Sequence, residues 1–552
     1  ENGPASTLAD FFDIDWEPPS EHLANRVLLP ILGDHYGRVL EAGELRLVRV
    51  NGGFEIRYHE HRLPVSPRSL DRLLAAAARA CRSAELAFLA AACAGLPHAA
   101  ATDRQSALRR HRDKRVIAER LGRLCAESAA VAAAVDGVVA RINARPDRLH
   151  ALLERQNYRP AYWRTAADEL DYRHFFDVHS LVALHIEDPR VFADTHALVL
   201  SWVASGLVDG LRVDHPDGLA DPAQYFARLR RRAPEAWIVA EKVLLPGERL
   251  PAWPIAGTTG YDFLFRADGV LVDPAGEEAL SAIYARETGE SIERVDWPDL
   301  AHAGKLQAMT DLLAADVERL AELWKAVCER HRRQRDYTRR ELRQALREVA
   351  ACFPVYRSYV RAMADQVSGD DREAIARAVA AARARRPDLS AELFDFFVQL
   401  MARSVTGELE TELVLRFQQL TGPVMAKGVE DTAFYRFHRL ASRNEVGGDP
   451  ACFAISVEDF HRASEQAQRL WPDAMLTTST HDTKRSEDVR ARLHLLAEIP
   501  ERWGGAVRHW AALAERHRSP APDGGSWPDR NLLYLLFQTL VGAWPLDLPR
   551  AL

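Results

Sequence analysis

Cysteine is scarce in this chain: six in 552 residues, at Cys81, Cys93, Cys125, Cys328, Cys352 and Cys452, with no C-x-x-C pair. A disulfide-dense secreted scaffold is thereby excluded, and most of the six fall in Ala/Leu-rich helical runs. They read as reduced, buried thiols of a cytoplasmic protein. Neither Cys nor His clusters at ligand spacing, so no metal or other cofactor is expected. Long apolar runs are also missing; nothing approaches the ~18 residues a membrane helix needs. Nor is there an excess of positive charge. Lys+Arg total 72 against 79 for Asp+Glu, a formal charge of −7, which argues against a general nucleic-acid binder and is compatible with a neutral sugar.

What remains is an ordinary globular composition, 47% hydrophobic and 27% charged, in a chain long enough for one large domain with insertions or for several subdomains. The most informative stretch is Gly206-Leu-Val-Asp-Gly-Leu-Arg-Val-Asp-His-Pro-Asp-Gly-Leu219. Its apolar residues end at Asp214 and then at turn formers. That is the pattern of a buried parallel strand stopping at a carboxylate, where α/β enzymes place their chemistry. Arg212 shares the face of Asp214, because strand side chains alternate, and can hold that carboxylate ionised. An aspartate capping the next helix is the plainer reading of an isolated Asp.

Two more runs end the same way. Trp237-Ile-Val-Ala-Glu241 is followed by Lys242, and Ala474-Met-Leu-Thr-Thr-Ser-Thr-His481-Asp482 by Lys484. Three strand-like runs ending in Asp, Glu and Asp fit a retaining glycosidase mouth, with a nucleophile, a proton donor and a third acid on sugar hydroxyls.

Around these runs the chain changes character several times. Residues 1–35 are loop-like and aromatic, and residues 36–64 read as a β-hairpin around Asn51-Gly52-Gly53. His59, Glu60 and His61 lie there as exposed hairpin residues rather than metal ligands. Residues 69–144 carry the period of about three helices, with Arg109–Arg115 read as a solvated face. Residues 158–177 concentrate Tyr, Trp, Phe and Arg, which serves a sugar-lined groove or a core beside a helix start equally well. A helix over 188–205 leads into the Asp214 strand. The loop Gly257-Thr-Thr-Gly-Tyr261-Asp262 lacks the spacing of a phosphate cradle and is read as a strand near the mouth. Residues 277–410 are strongly helical, a strand is expected over 474–480, helices over 487–518, a loop over 519–525 and a last helix over 531–541.

The three acidic runs resemble three motif regions of the α-amylase-type glycoside hydrolases. Further stretches narrow the likeness: Leu170-Asp-Tyr-Arg-His-Phe-Phe-Asp177, Gly257-Thr-Thr-Gly-Tyr-Asp262, Lys427-Gly-Val-Glu-Asp-Thr-Ala-Phe-Tyr-Arg436, Asn444-Glu-Val-Gly-Gly-Asp449 and His481-Asp-Thr-Lys-Arg485. With these, most of the chain resembles the maltooligosyltrehalose synthases, which are (1→4)-α-glucan 1-α-glucosylmutases. The resemblance implies an α/β fold: part of a (β/α)8 barrel of the amylase type with large, mainly helical insertions. It divides the chain into an insertion subdomain (1–146), barrel segments (147–276 and 415–552) and a helical insertion between them (277–414).

It also implies Asp214 as nucleophile, Glu241 as acid/base and Asp482 as third acid. Arg212, His215, Lys242, Tyr261, Lys427, Asp431, Tyr435, Arg436, His481 and Lys484 would bind a maltooligosaccharide. A maltooligosyltrehalose trehalohydrolase would be the functional partner, with no nucleic acid and no membrane involved. Only four barrel strands can be placed, ending near Asp214, Glu241, Asp262 and His481, and the amylase-type Asn-His pair occurs nowhere in the chain. The expectation is therefore an internal portion of a longer enzyme, without the first strands and the last. Two other readings stay open: a glucan or maltooligosyltrehalose hydrolase of the same superfamily, and a non-catalytic glucan-binding piece.

Overall fold

The computed structural model describes residues 1–289, 296–362, 367–521 and 524–545. The fold is mixed α/β and mostly helical, and it divides into two compact units. The first comprises Glu1–His185 with Leu312–Arg319, the second Ile186–Asp311 with Leu320–Leu552.

In the first unit, β1 (Val27–Leu32) will pair with a strand far along the chain, while β2 (Arg46–Val50), β3 (Gly53–Tyr58) and β4 (His61–Pro64) form an antiparallel meander. The Asn51-Gly52 turn has φ of 35° and 84°, the left-handed pair a two-residue hairpin requires. Gly52 is needed for a second reason: a Cβ there would lie 2.2 Å from the Ala118 carbonyl of the helix Arg104–Glu127. Phe54, Ile56 and Tyr58 alternate inward along β3, against the helices Asp71–Cys81, Ala84–Ala94, Arg104–Glu127 and Ala129–Asn143. The expected hairpin is thus a three-stranded sheet preceded by a short helix (Tyr36–Glu41), and the three expected helices are four.

The aromatic segment begins with β5 (Tyr158–Tyr162), which pairs in parallel with β1, a ladder the sequence reading did not anticipate. After it come the short antiparallel pair β6 (His174–Phe175) and β7 (Val178–Val182). The basic run is not uniformly solvated either. Arg110 is 1% exposed, and its guanidinium donates to the Pro97 carbonyl at 2.6 Å and to Ser66 Oγ at 3.2 Å.

The second unit is built on a three-stranded parallel sheet, β8 (Gly210–Val213), β9 (Trp237–Ala240) and β10 (Gly257–Thr258), with β9 in the centre. Its connections follow from local signals. Asp188 caps the helix Pro189–Ala204 and Asp221 caps Pro222–Arg232, each with proline at the first helical position, where its missing N–H costs nothing. Ile238, Val239 and Ala240 are fully buried in β9, and Phe192, Phe226, Leu229 and Trp253 pack on the same core. That is the continuous apolar run of a strand covered on both faces.

One expected strand is shorter than expected, ending at Thr258 rather than near Asp262, and another, over 474–480, is not formed. Tyr261–Val270 is a helix, with Asp262 in its first turn accepting from Thr258 Oγ1 at 2.7 Å. Residues 474–480 run beside β10 without a ladder. Met475 N–H donates to the Thr258 carbonyl at 3.2 Å, but Thr477 Oγ1, Thr483 Oγ1 and Arg490 take the groups that would continue it. The remainder is helical, including Trp297–Asp311, Arg339–Ala351 and Glu408–Met425, which passes into a π-turn at Ala426–Glu430. Among the described residues no helix is long and apolar enough to cross a membrane.

Candidate active site

The ladder sets the site. Val213 of β8 is in register with Ala240 of β9, and the Glu241 N–H donates to the Val213 carbonyl at 2.9 Å. The residues immediately following, Asp214 and Glu241, therefore stand side by side at the C-terminal ends of adjacent parallel strands. One cation serves both: Arg212 Nη1 lies 2.6 Å from Asp214 Oδ1 and Nη2 lies 2.9 Å from Glu241 Oε1. The His215 backbone N–H donates to Glu241 Oε2 at 2.9 Å.

That last bond depends on a strained turn. His215 has φ 41° and Pro216 follows it. A Cβ on Gly218 would come within 2.6 Å of the His215 ring, so a larger residue there would have to displace the imidazole. Arg357 Nη1 holds the turn from below, donating at 2.6 Å to both the Asp217 and Leu219 carbonyls.

The two carboxyls differ in environment and hence in acidity. The Asp214 side chain is 60% exposed and that of Glu241 15%. Burial raises both, but at Asp214 the Arg212 guanidinium and the hydrogen bond to Glu241 outweigh it and hold the group below the ordinary carboxylate range. At Glu241 burial prevails, helped by the Asp214 charge, and the carboxyl is pushed up to about 7. Glu241 thus keeps its proton where Asp214 has lost its own. Each carboxyl acts on the other: Glu241 helps to lower Asp214, and Asp214 helps to raise Glu241.

Tyr261 links this pair to the third acid. The residue is 1% exposed, and its hydroxyl lies 3.0 Å from Thr480 Oγ1, which in turn accepts the Asp482 N–H at 3.1 Å. Burial pushes the Tyr261 phenol up to about 12, and the charges of Asp482 and Glu241 both add to the effect. Asp482 itself is half exposed, with His481 Nε2 3.0 Å away.

A second group collects around the π-turn. Lys427 Nζ is 3.0 Å and Lys484 Nζ 2.8 Å from opposite oxygens of Asp431. Tyr435 is 51% exposed, and Arg436 donates to Gln307 at 2.6 Å. π-turns inside helices recur at functional sites because the extra residue redirects the side chains beyond it.

Lys242 must be reassigned. It was expected to bind substrate, but it is fully buried and turned inward, 2.8 Å from Glu248 and 3.5 Å from Asp217, and it donates to the Val243 carbonyl. Burial opposes its charge, yet the two carboxylates outweigh that and hold the ammonium above its ordinary value. The reason is alternation: Lys242 follows Glu241, so it leaves the strand on the opposite side.

Sequence reasoning missed Glu445, although its motif was noted. This buried carboxylate accepts the Lys484 N–H at 2.7 Å and the Arg485 N–H at 3.1 Å, with Arg490 Nη1 3.4 Å away, and so ties down the loop that carries Asp482. The surrounding residues, Ser442-Arg-Asn-Glu445-Val-Gly-Gly-Asp449, are mostly polar or glycine and carry no local signal of its burial.

Comparison with known proteins gives the arrangement its context. A curated Mycobacterium tuberculosis protein named a maltooligosyl trehalose synthase is 38% identical over 405 residues, 72% of this chain and 47% of that protein. This chain is homologous to the maltooligosyltrehalose synthases. The structure of maltooligosyltrehalose synthase from Arthrobacter ramosus matches 98% of the chain at 36% identity with a TM-score of 0.71, the match covering 55% of that enzyme. A glycosyltrehalose synthase matches with TM-score 0.65 at 27% identity, over 98% of this chain and 56% of its own. The chain thus spans about half the length of the synthases it matches. No protein-family model matches it.

Proposed function

We propose that this chain carries the catalytic acids of an intramolecular transglucosylase that converts the reducing-end α-1,4 link of a maltooligosaccharide into an α,α-1,1 link. The observation that carries the reading is the Arg212-bridged pair, Asp214 held ionised and Glu241 pushed up to about 7. A double displacement needs this division of labour. Asp214 attacks the anomeric carbon while Glu241 gives its proton to the glycosidic oxygen, and the C1–O bond breaks. The freed glucose stays bound, turns, and presents its anomeric hydroxyl. Glu241, now a carboxylate, takes that proton; the new oxygen attacks C1 and Asp214 leaves. Two inversions give net retention and no water is consumed.

In this scheme Asp482 and His481 bind hydroxyls of the distorted ring. Lys427, Asp431, Tyr435, Arg436 and Lys484 form a polar wall of the enclosure that keeps water from the glycosyl-enzyme. Tyr261 and His215 line the reacting end. The architecture that goes with the proposal is a partial (β/α)8 barrel, which β8, β9 and β10 support by being parallel, with acids following the first two. A hydrolase that releases trehalose from the non-reducing product would act next. All six cysteines are free, which suits a reducing, cytoplasmic compartment.

Product analysis on maltopentaose tests the assignment. The expected product has the mass of the substrate and no reducing end. Glucose plus maltotetraose as the main products would overturn it in favour of hydrolysis. Glu241→Gln should lower turnover on the order of 10²–10⁴-fold, and Asp214→Asn and Asp482→Asn at least as much; near-normal activity in any of them removes that residue from its role.

A further inference from the structure

Away from the acids, the second unit contains a cavity of about 1060 Å³ whose wall includes His302, Lys305, Cys352 and Phe353. Two donor side chains at that wall, His302 and Cys352, meet a third just behind it, the buried Glu348. His302 comes from the helix Trp297–Asp311, Glu348 from the helix Arg339–Ala351, and Cys352 is the residue that caps the latter, one turn beyond Glu348. An i, i+4 pair on one helix with a third ligand from a neighbouring helix is a geometry metal sites use. His302 Nε2 lies 2.7 Å and Cys352 Sγ 3.9 Å from the same oxygen, Glu348 Oε1, and the three donor atoms all fall within 4.8 Å of one another.

We propose that His302, Glu348 and Cys352 bind one zinc-class divalent cation, with water from the cavity as the fourth ligand. Around a tetrahedral zinc with Zn–N and Zn–O near 2.0 Å and Zn–S near 2.3 Å, the N···O and O···S separations come to about 3.3 Å and about 3.5 Å. The His302–Glu348 contact opens by roughly 0.6 Å and the Cys352–Glu348 contact closes by roughly 0.4 Å, shifts within the reach of χ rotations. The donor set of imidazole nitrogen, carboxylate oxygen and sulfur selects zinc over magnesium or calcium, which prefer oxygen alone.

Charge also balances: glutamate and thiolate together neutralise a divalent ion, and the thiol proton leaves to cavity water. Two neighbouring cations have carboxylate partners, Arg385 with Asp299 and Arg386 with Asp388 at 2.6 Å; the buried Lys305 donates to the neutral Phe353 carbonyl at 2.9 Å, and burial lowers its ammonium to about 8. His302 and Glu348 are 46 positions apart, so no spacing motif announces the site, and the sequence reading expected no metal.

The test uses the full chain, stripped with chelator, equilibrated with zinc sulfate and desalted, with metal measured by mass spectrometry. One zinc per chain is expected, and cobalt substitution should give a thiolate-to-cobalt charge-transfer band. Cys352→Ser should remove that band and weaken zinc binding at least about tenfold, since even outer-shell changes cost that much; His302→Gln should weaken binding similarly. Cys452→Ser should change neither. No retained zinc, a cobalt complex without the band in the unsubstituted chain, or equal zinc retention by Cys352→Ser would each overturn the proposal.

Discussion

Replacing Glu241 with glutamine should change the stability of the fold in a pH-dependent way that can be worked out from the site. Glu241 titrates near 4.5 when unfolded and near 7 when folded. Below about 4.5 it is protonated in both states and costs nothing. Between these values the folded chain keeps a proton that the unfolded chain has released, so stability falls as pH rises, and above 7 the full penalty is present. At 1.36 kcal/mol per pH unit the interval corresponds to about 3 kcal/mol. The carboxyl is 15% exposed and solvent screens it there, so about 2 kcal/mol is the expected effect. Glutamine carries no such titration. The stability of Glu241→Gln relative to the parent chain should therefore rise by about 2 kcal/mol from pH 5 to pH 8.5. Urea unfolding followed by tryptophan fluorescence at each pH measures the difference, and the other buried acids cancel in the comparison. A difference that stays flat within about 0.5 kcal/mol across that range would refute the elevated acidity constant and with it the proton-donor assignment.

Other perturbations follow from the same geometry. Lys242→Met leaves Asp217 and Glu248 buried without their cation and should destabilise the fold by about 3–5 kcal/mol in urea unfolding; an unchanged midpoint would return Lys242 to the list of substrate contacts. Glu445→Gln loosens the anchoring of Lys484 and Arg485, so hydrogen exchange over residues 478–485 should accelerate at least about tenfold while the helices keep their protection. Gly304→Ala places a Cβ 2.3 Å from the Gly428 carbonyl of the π-turn and should cost about 1–3 kcal/mol, read as a lowered thermal midpoint.

The pairing of Asp214 with Glu241 was legible because two signals coincide there. Apolar runs that stop at an acid mark both strand ends, and alternation puts Arg212 on the face of Asp214, as the 2.6 Å contact bears out. The same alternation argues against Lys242 as a sugar ligand, since neighbours on a strand point apart; motif membership alone had suggested otherwise. Residues 474–480 were misread for a different reason. Their Thr residues favour strands by composition, but hydroxyls that bond the local backbone remove the ladder. The β1–β5 pairing joins segments more than a hundred residues apart, and Pro30 and Pro160 weaken the strand signal in both. Glu445 was out of reach because its partners lie some forty residues away.

The double contact of Arg212 has one more consequence. Near neutrality Asp214 contributes one negative charge, Glu241 roughly half of one and Arg212 one positive, so these three side chains together are close to electrically balanced. In the proposed reaction an uncharged glucan would enter without bringing or expelling an ion, and added salt would have little to screen at that point. In that scheme, moving the proton between Glu241 and the sugar would shift charge over only a few ångströms beside a fixed cation, so the surroundings would need little rearrangement as the bond is cut and remade.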